Sequence, residues 1–440
     1  MLPVLLALVP GAQEPATPAA PDLQALLEAL VDLPEAGARD QEAARLARLE
    51  GVSLDDWLEA MASFGRFEAA EPGMWRREVE LPVGGDPRPL RLHGYIPRSY
   101  DPARPAPLLV LGHGTGGTGE SMILTWRAVA EELGLLLLAP DDGGENTGYR
   151  FDGSERQETL AALRWMRRHY NVDENRIHLS GISRGGHLTW DLGLRRPDRW
   201  ASLAPMVGGP AVALTGGRNN LRLLENIARL PLLDLQGEGD DPGLHENLQL
   251  AFEGLERLGA PSARLLEFPD FGHSFDFQAV DWKAFLGSAR RDPRPRRVVL
   301  RADRPRGARS YWVEAAQLDK KVAAEFRPVF GRAEVARWNE ADNLGRKRMI
   351  QDLAEERTAR IEAEWTGPGS FRVETRLVPR LRLLLDRSML PPEGRSVKIV
   401  VNGRRRTRKA EEEASVLLAD FADRFDRSFL PVAEVRLKGD

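Results

Sequence analysis

Between residues 108 and 268 the chain repeats one alternation: a short apolar run, then a stretch whose apolar residues recur every three or four positions. The runs are 108–111 (LLVL), 135–139 (LLLLA), 176–180 (RIHLS), 202–206 (SLAPM), 231–235 (PLLDL) and 264–268 (RLLEF). Runs this short, bounded by turn formers, predict buried strands, whereas the longer periodic stretches between several of them predict amphipathic helices. One such helix is expected to open with a capping box at Ser154 and Gln157 and to turn Leu160, Leu163, Met166 and Tyr170 inward. Strand and helix in alternation predict a doubly wound, mostly parallel sheet covered by helices on both faces. Just upstream, 75–83 (WRREVELPV) and 89–97 (PLRLHGYIP) predict an antiparallel pair.

The flanks are patterned differently. Residues 22–66 read as helical, with Ser53 capping a turn whose Leu54, Trp57, Leu58 and Met61 share one face; this segment is expected to pack on the main domain. Residues 290–309 are basic and proline-broken, which predicts a solvated linker containing a strand. Beyond it, Ile361, Ala363 and Trp365 alternate with charges, as do Phe371, Val373 and Thr375, and later Ala433, Val435 and Leu437. Such alternation predicts half-buried antiparallel strands, and Asn402-Gly403 predicts a hairpin turn. The expected organisation is a leader (1–21), an N-terminal helical segment (22–70), an α/β domain (71–292) and a β-sandwich-like domain (296–440) with a helical insertion around 319–356.

Composition narrows the function. With 62 basic and 66 acidic residues intermixed, the net charge of −4 supplies no basic field, so nucleic acid is not expected as a partner. There is no cysteine, which excludes disulfides, thiolate catalysis and cysteine–zinc sites. The opening MLPVLLALVPGAQEPATPAAP resembles an export signal lacking a basic start, so a secreted or periplasmic protein is expected. No other run approaches the roughly 18 apolar residues of a membrane span.

The candidate chemistry lies in GISRG at 181–185, a G-x-S-x-G between a predicted strand and a predicted helix. There Ser183 is forced into a strained corner with its hydroxyl exposed at a helix N-terminus, and only glycines two residues away fit. A serine hydroxyl needs a base, normally histidine. Three of the seven histidines follow Ser183. His187 sits one turn along the same helix and is read as a packing or helix-surface group. His245 falls in an amphipathic helix with a solvated role. His273, in the loop FPDFGHSF (268–275), is the expected base, because such sheets place chemistry in loops at strand carboxyl ends. The acid is expected in the loop after 231–235: Asp240, with Asp241 and Glu238 open as alternatives and Asp234 misplaced within the strand. Two backbone N–H groups should await an oxyanion. They are expected from Arg184 and from the His113-Gly114-Thr115 loop, through the Thr115 amide; the Arg184 side chain, in the plain alternative, faces solvent.

That loop admits a second reading. Gly112 to Gly117 spells G-x-G-x-x-G after a strand, with Asp141 following a second strand, which is the outline of a dinucleotide site. Gly114 to Ser121 nearly spells a phosphate loop, but Glu120 stands where the lysine belongs and would repel phosphate. Neither outline gives the downstream serine, acid and histidine a purpose. A third reading is a non-catalytic binding protein of hydrolase shape, against which the intact set of candidates weighs. The histidines are not paired at ligand spacing, so no metal and no cofactor is expected.

HGTGG (113–117), the segment 173–209 around GISRG, LQGEGDD (235–241) and FGHSF (271–275) together resemble the α/β-hydrolase superfamily. The likeness spans about 75–290 and is strongest to exported polyhydroxybutyrate-depolymerase-like, feruloyl-esterase-like and prolyl-oligopeptidase-type domains. Residues from FRVETR to VVNGR (371–404) resemble a β-domain that follows some such hydrolases. The resemblance implies a Ser183–His273–Asp240 triad, Thr115 and Arg184 oxyanion amides, and an ester substrate, small or polymeric, with a peptide as the alternative. One motif departs: the acid loop usually reads H-G-x-x-D, and here Gln236 holds the histidine's place. Loops 141–153 and 207–230 are expected to shape the pocket, and the C-terminal domain to shield the site or simply pack.

Overall fold

The computed structural model describes residues 21–141, 149–151, 153–214, 218–304 and 308–439. The segment read as an export signal and parts of the two loops expected to shape the pocket therefore lie outside the described residues. Three helices open the described chain: α1 (Leu23–Asp32), α2 (Ala36–Leu46) and α3 (Leu54–Ala62). Ser53 caps α3 as expected, in a capping box with Asp56.

The central sheet is built from β1 (Gly73–Val83), β2 (Asp86–Ile96), β3 (Ala106–Gly112), β4 (Leu136–Pro140), β5 (Val172–Ile182), β6 (Ser202–Met206), β7 (Leu232–Gly237) and β8 (Ala263–Phe268). Its spatial order is β1-β2-β4-β3-β5-β6-β7-β8. The first two strands form the expected antiparallel hairpin, β2 runs antiparallel to β4, and every pairing from β4 to β8 is parallel. The helices α4 (Gly119–Leu133), α5 (Glu155–His169), α6 (Arg184–Arg195), α7 (Pro242–Arg257) and α8 (Trp282–Ser288) cover it. The sheet's two faces carry separate apolar clusters. Leu108, Val110 and Leu136 pack with Met166 and Trp190 on one side, and Leu109, Leu111 and Leu137 with Trp126 and Phe285 on the other. Adjacent residues point to opposite faces, so strands buried on both sides read as unbroken apolar runs.

The capping box expected at Ser154 is not formed. Ser154 is helical (φ −79, ψ −14) and its hydroxyl donates to Glu158 at 2.7 Å, whereas a capping serine needs an extended backbone to reach the N–H groups ahead of it. The inward face holds: Leu163, Met166 and Tyr170 are buried, with Leu160 half-buried.

The C-terminal domain has β9 (Arg297–Ala302), β10 (Arg309–Ser310), β11 (Val313–Gln317), β12 (Ala359–Gly367), β13 (Ser370–Arg376), β14 (Arg380–Leu385), β15 (Ser396–Val401), β16 (Arg404–Lys409) and β17 (Ala433–Lys438). They form a four-stranded sheet, β10-β11-β14-β17, and a five-stranded sheet, β16-β15-β13-β12-β9, closed on a common apolar core. Asn402 and Gly403, both at positive φ, make the expected turn between β15 and β16. One pairing departs from expectation: β13 and β15 are parallel. Between them the chain crosses to the other sheet as β14, so it returns in the same direction.

The expected insertion is helical, as α9 (Arg332–Glu340) and α10 (Asn343–Glu356). It leaves its own domain: Ile350 joins the core of the main domain, and Lys347 Nζ donates to Gly243 O at 2.7 Å. A further helix, α11 (Ala414–Arg424), was not expected. It is also what the N-terminal helices pack against, since Leu30, Trp57, Met61 and Phe64 form one cluster with Leu417, Phe421 and Phe425. That cluster meets the main domain at α5, where Arg164 donates to Val31 O and Ala422 O, Arg168 pairs with Asp32, and Arg167 lies over the Phe425 ring.

The basic stretch at 290–309 contains the expected strand, β9, and Arg290, Arg296 and Arg297 are exposed, but it is not solvated throughout. Arg291, Arg301 and Arg309 are buried, with Arg291 paired to Asp426 at 2.7 Å and Arg309 paired to Asp420. The matching carboxylates lie more than a hundred residues away, on α11 and the loop after it, so local sequence could not reveal them. Burial alone would raise the Asp426 carboxyl, but the charge and hydrogen bonds of Arg291 outweigh it and hold the group far below the usual range. Asp426→Ala is expected to cost about 3–5 kcal/mol in denaturant unfolding at neutral pH, because it strands a buried guanidinium. A depressed folded value means the contribution is complete above the unfolded pKa of about 3.9 and is lost as pH falls below it, so wild type and variant should converge in acid.

Candidate active site

β5 ends at Ile182 and α6 begins at Arg184, leaving Ser183 alone at the corner with φ 55 and ψ −112. A non-glycine residue held at positive φ stores about 1–3 kcal/mol of strain, which the surrounding packing must sustain. The packing here is backbone on backbone. A Cβ on Gly181 would lie 2.4 Å from Gly185 O, and one on Gly185 would lie 2.1 Å from Gly112 O. Those two glycines let β3, β5 and α6 close on each other behind the serine. The Ser183 N–H donates to Met206 O at 2.7 Å, pinning the corner to β6.

Two loops from neighbouring strands meet Ser183. After β8, His273 places Nε2 2.7 Å from Ser183 Oγ. After β7, Asp240 lies 2.9 and 3.0 Å from His273 Nδ1 through its two carboxylate oxygens. A carboxylate can only accept, so Nδ1 carries the proton and Nε2 offers its lone pair to the serine hydroxyl. The loops are stitched together by Gly239 N–H to Phe271 O at 2.8 Å and Glu238 N–H to Phe268 O at 3.0 Å. Gly237 allows that approach, since a Cβ there would meet Gly272 O at 2.0 Å. The Asp240 side chain is 6% exposed and that of His273 53%, so the acid is sheltered and the imidazole open.

The other candidates have separate places. Asp241 caps α7 by accepting from Leu244 N–H at 2.9 Å, and Glu238 is exposed. Asp234, buried within β7, accepts from Trp190 Nε1 at 2.6 Å, and burial lifts its carboxyl well above the usual range. His245 lies on α7, half-buried, with Nδ1 3.7 Å from Glu267. His187 is a packing group: its ring donates to Gly209 O at 2.6 Å, it faces Phe151 at 6.3 Å, and burial lowers its pKa.

The loop between β3 and α4 runs beside the corner, for a Cβ on Gly114 would lie 3.6 Å from Ser183 Cβ. His113 is buried with its ring against Gly114 O, and Thr115 is exposed. The Arg184 side chain does not face solvent: it is 4% exposed and donates to Glu155 Oε1 at 2.8 Å, on the first turn of α5. The dinucleotide outline loses its acid, because Asp141 accepts from Gly119 N–H at 2.7 Å and faces His93 at 3.3 Å. It ties the end of β4 to the start of α4. Among the described residues no three His, Cys, Asp or Glu side chains gather as a metal site, and no helix is long and apolar enough to cross a membrane.

Two contacts escaped the sequence reading. The Arg184–Glu155 pair joins residues far apart in the chain and left no signal. Gln236 donates from Nε2 to Asp240 Oδ2 at 2.6 Å, and its only trace was its place in the acid motif.

No family model matches the chain. The chain is 25% identical over 118 residues to a bifunctional acetylxylan esterase/xylanase of Neocallimastix patriciarum, covering 27% of this chain and 18% of that protein. It is 31% identical over 102 residues to an uncharacterized peptidase of Bacillus subtilis, covering 22% of this chain and 38% of that protein. It thus spans well under two thirds of either relative. Among solved structures, the S-formylglutathione hydrolase FrmB of Staphylococcus aureus aligns with a TM-score of 0.41 at 16% identity, over 50% of this chain and 98% of that one.

Proposed function

We propose that the chain is a serine hydrolase of the α/β-hydrolase type that cleaves carboxylic esters through an acyl-enzyme. The observation that carries this reading is the unbroken hydrogen-bond chain from Asp240 through His273 to a serine held at a strained strand-to-helix corner. Ser183 Oγ attacks the carbonyl carbon while its proton passes to His273 Nε2. The negative oxygen is received by the Arg184 amide at the N-terminal end of α6 and by the Thr115 amide of the loop after β3. His273 then gives the proton to the departing alcohol. It next takes one from water, whose oxygen attacks the acyl carbon; the C–Oγ bond breaks, His273 returns the proton to Ser183 Oγ, and the acid leaves. Asp240 keeps the proton on Nδ1 and balances the imidazolium as it forms.

An amide could be cut by the same groups with an amine leaving, and of the two relatives one is named an esterase and the other a peptidase. One panel separates the substrate classes: p-nitrophenyl esters, feruloyl esters and peptide p-nitroanilides. Ester turnover is expected, together with labelling of Ser183 by a fluorophosphonate. Turnover confined to anilides would make the protein a peptidase of the prolyl-oligopeptidase type, and absence of any labelling would remove the serine mechanism.

A further inference from the structure

We propose that Gln236 is a positioning residue, whose side-chain N–H holds the Asp240 carboxylate in the plane that His273 requires; this rests on the serine-hydrolase reading above. Gln236 is the penultimate residue of β7 and is fully buried. Its amide could be turned either way, but the neighbour decides. Asp240 Oδ2 lies 2.6 Å away and can only accept, so the N–H side must face it. The amide oxygen is then left buried with no hydrogen-bond partner among the described residues. A side chain present only to fill the strand end would be apolar and would avoid that orphaned oxygen. What the amide supplies is the donation.

The geometry shows what the donation does. Asp240 Oδ1 accepts from the Asp241 N–H at 2.7 Å, and Oδ2 accepts from Gln236. Each oxygen thus has its own fixed donor, one from the loop backbone and one from the strand. His273 Nδ1 then bridges both oxygens almost evenly, at 3.0 and 2.9 Å. Without Gln236, Oδ2 keeps the imidazole alone as a partner, and the carboxylate, still held at Oδ1 by the Asp241 N–H, loses the second donor that fixes its plane.

The test combines a signal that needs no turnover with kinetics on a p-nitrophenyl ester. In the intact protein the proton between His273 and Asp240 should give a downfield imidazole resonance, identified by its loss in His273→Ala. Gln236→Leu and Gln236→Met, which lack a donor, are expected to shift or broaden that resonance. They should also lower kcat by about 10- to 100-fold with KM unchanged. Gln236→His, which restores an N–H donor, should recover both. Two donor-free variants are used so that one failing to fold still leaves the other to decide. A donor-free variant that folds and keeps the wild-type resonance and kcat overturns the proposal and leaves the hydrolase reading intact. A moved resonance in a protein that hydrolyses nothing, even as wild type, overturns the hydrolase reading and leaves the role of Gln236 in place.

Discussion

Ser183→Ala is expected to lower kcat by about 10⁴- to 10⁶-fold and to abolish fluorophosphonate labelling, with the fold unchanged. The size follows from the proposed mechanism, in which Ser183 Oγ forms the covalent bond and only binding and the oxyanion amides remain without it. The fold should survive for a local reason. The backbone anchor of the corner, Ser183 N–H to Met206 O, does not involve the side chain, and the hydroxyl's bond is to a half-exposed imidazole. Alanine meets the same positive-φ strain as serine, so thermal unfolding should move little. Retained labelling in the alanine variant would place the nucleophile elsewhere.

His273→Ala should cost nearly as much, whereas His245→Ala should turn over close to wild type. His273 is the imidazole in contact with both the serine and a sheltered carboxylate, and without it the hydroxyl has no base. His245 sits on α7 against Glu267, engaged in neither contact. With half its side chain in solvent, His273 contributes little burial, so lost activity in its variant would reflect chemistry and not unfolding. Steady-state kinetics of the two variants side by side read this directly. A silent His273→Ala with an inactive His245→Ala would transfer the base to α7.

Much of the site was legible because its signals are local. The apolar runs marked the strands, and G-x-S-x-G between a run and a helix marked the corner, because only glycine fits where backbones nearly touch. His273 stood out as the histidine in a loop after a strand. The sequence favours Asp240 but leaves Asp241 and Glu238 open beside it, since all three share one turn. In the fold Asp241 caps α7 and Asp240 turns to the imidazole, contacts that only the assembled loops bring about. The side chain of Arg184 was equally hidden, because its partner Glu155 starts a different helix.

The chain by itself determined the alternation of strands and helices, the serine corner and the hairpin turns, since each depends on residues within a few positions of one another. Tertiary structure alone decided which charges are buried, that α11 holds the N-terminal helices, and that β15 lies parallel to β13. These depend on partners as much as hundreds of residues apart, and no local pattern encodes a partner's address. Arg291 and Arg309 show the difference most directly: as sequence they call for water, and in the fold they are met by Asp426 and Asp420. A buried charge is tolerable only where its counter-charge arrives, and that arrival is a property of the assembled chain.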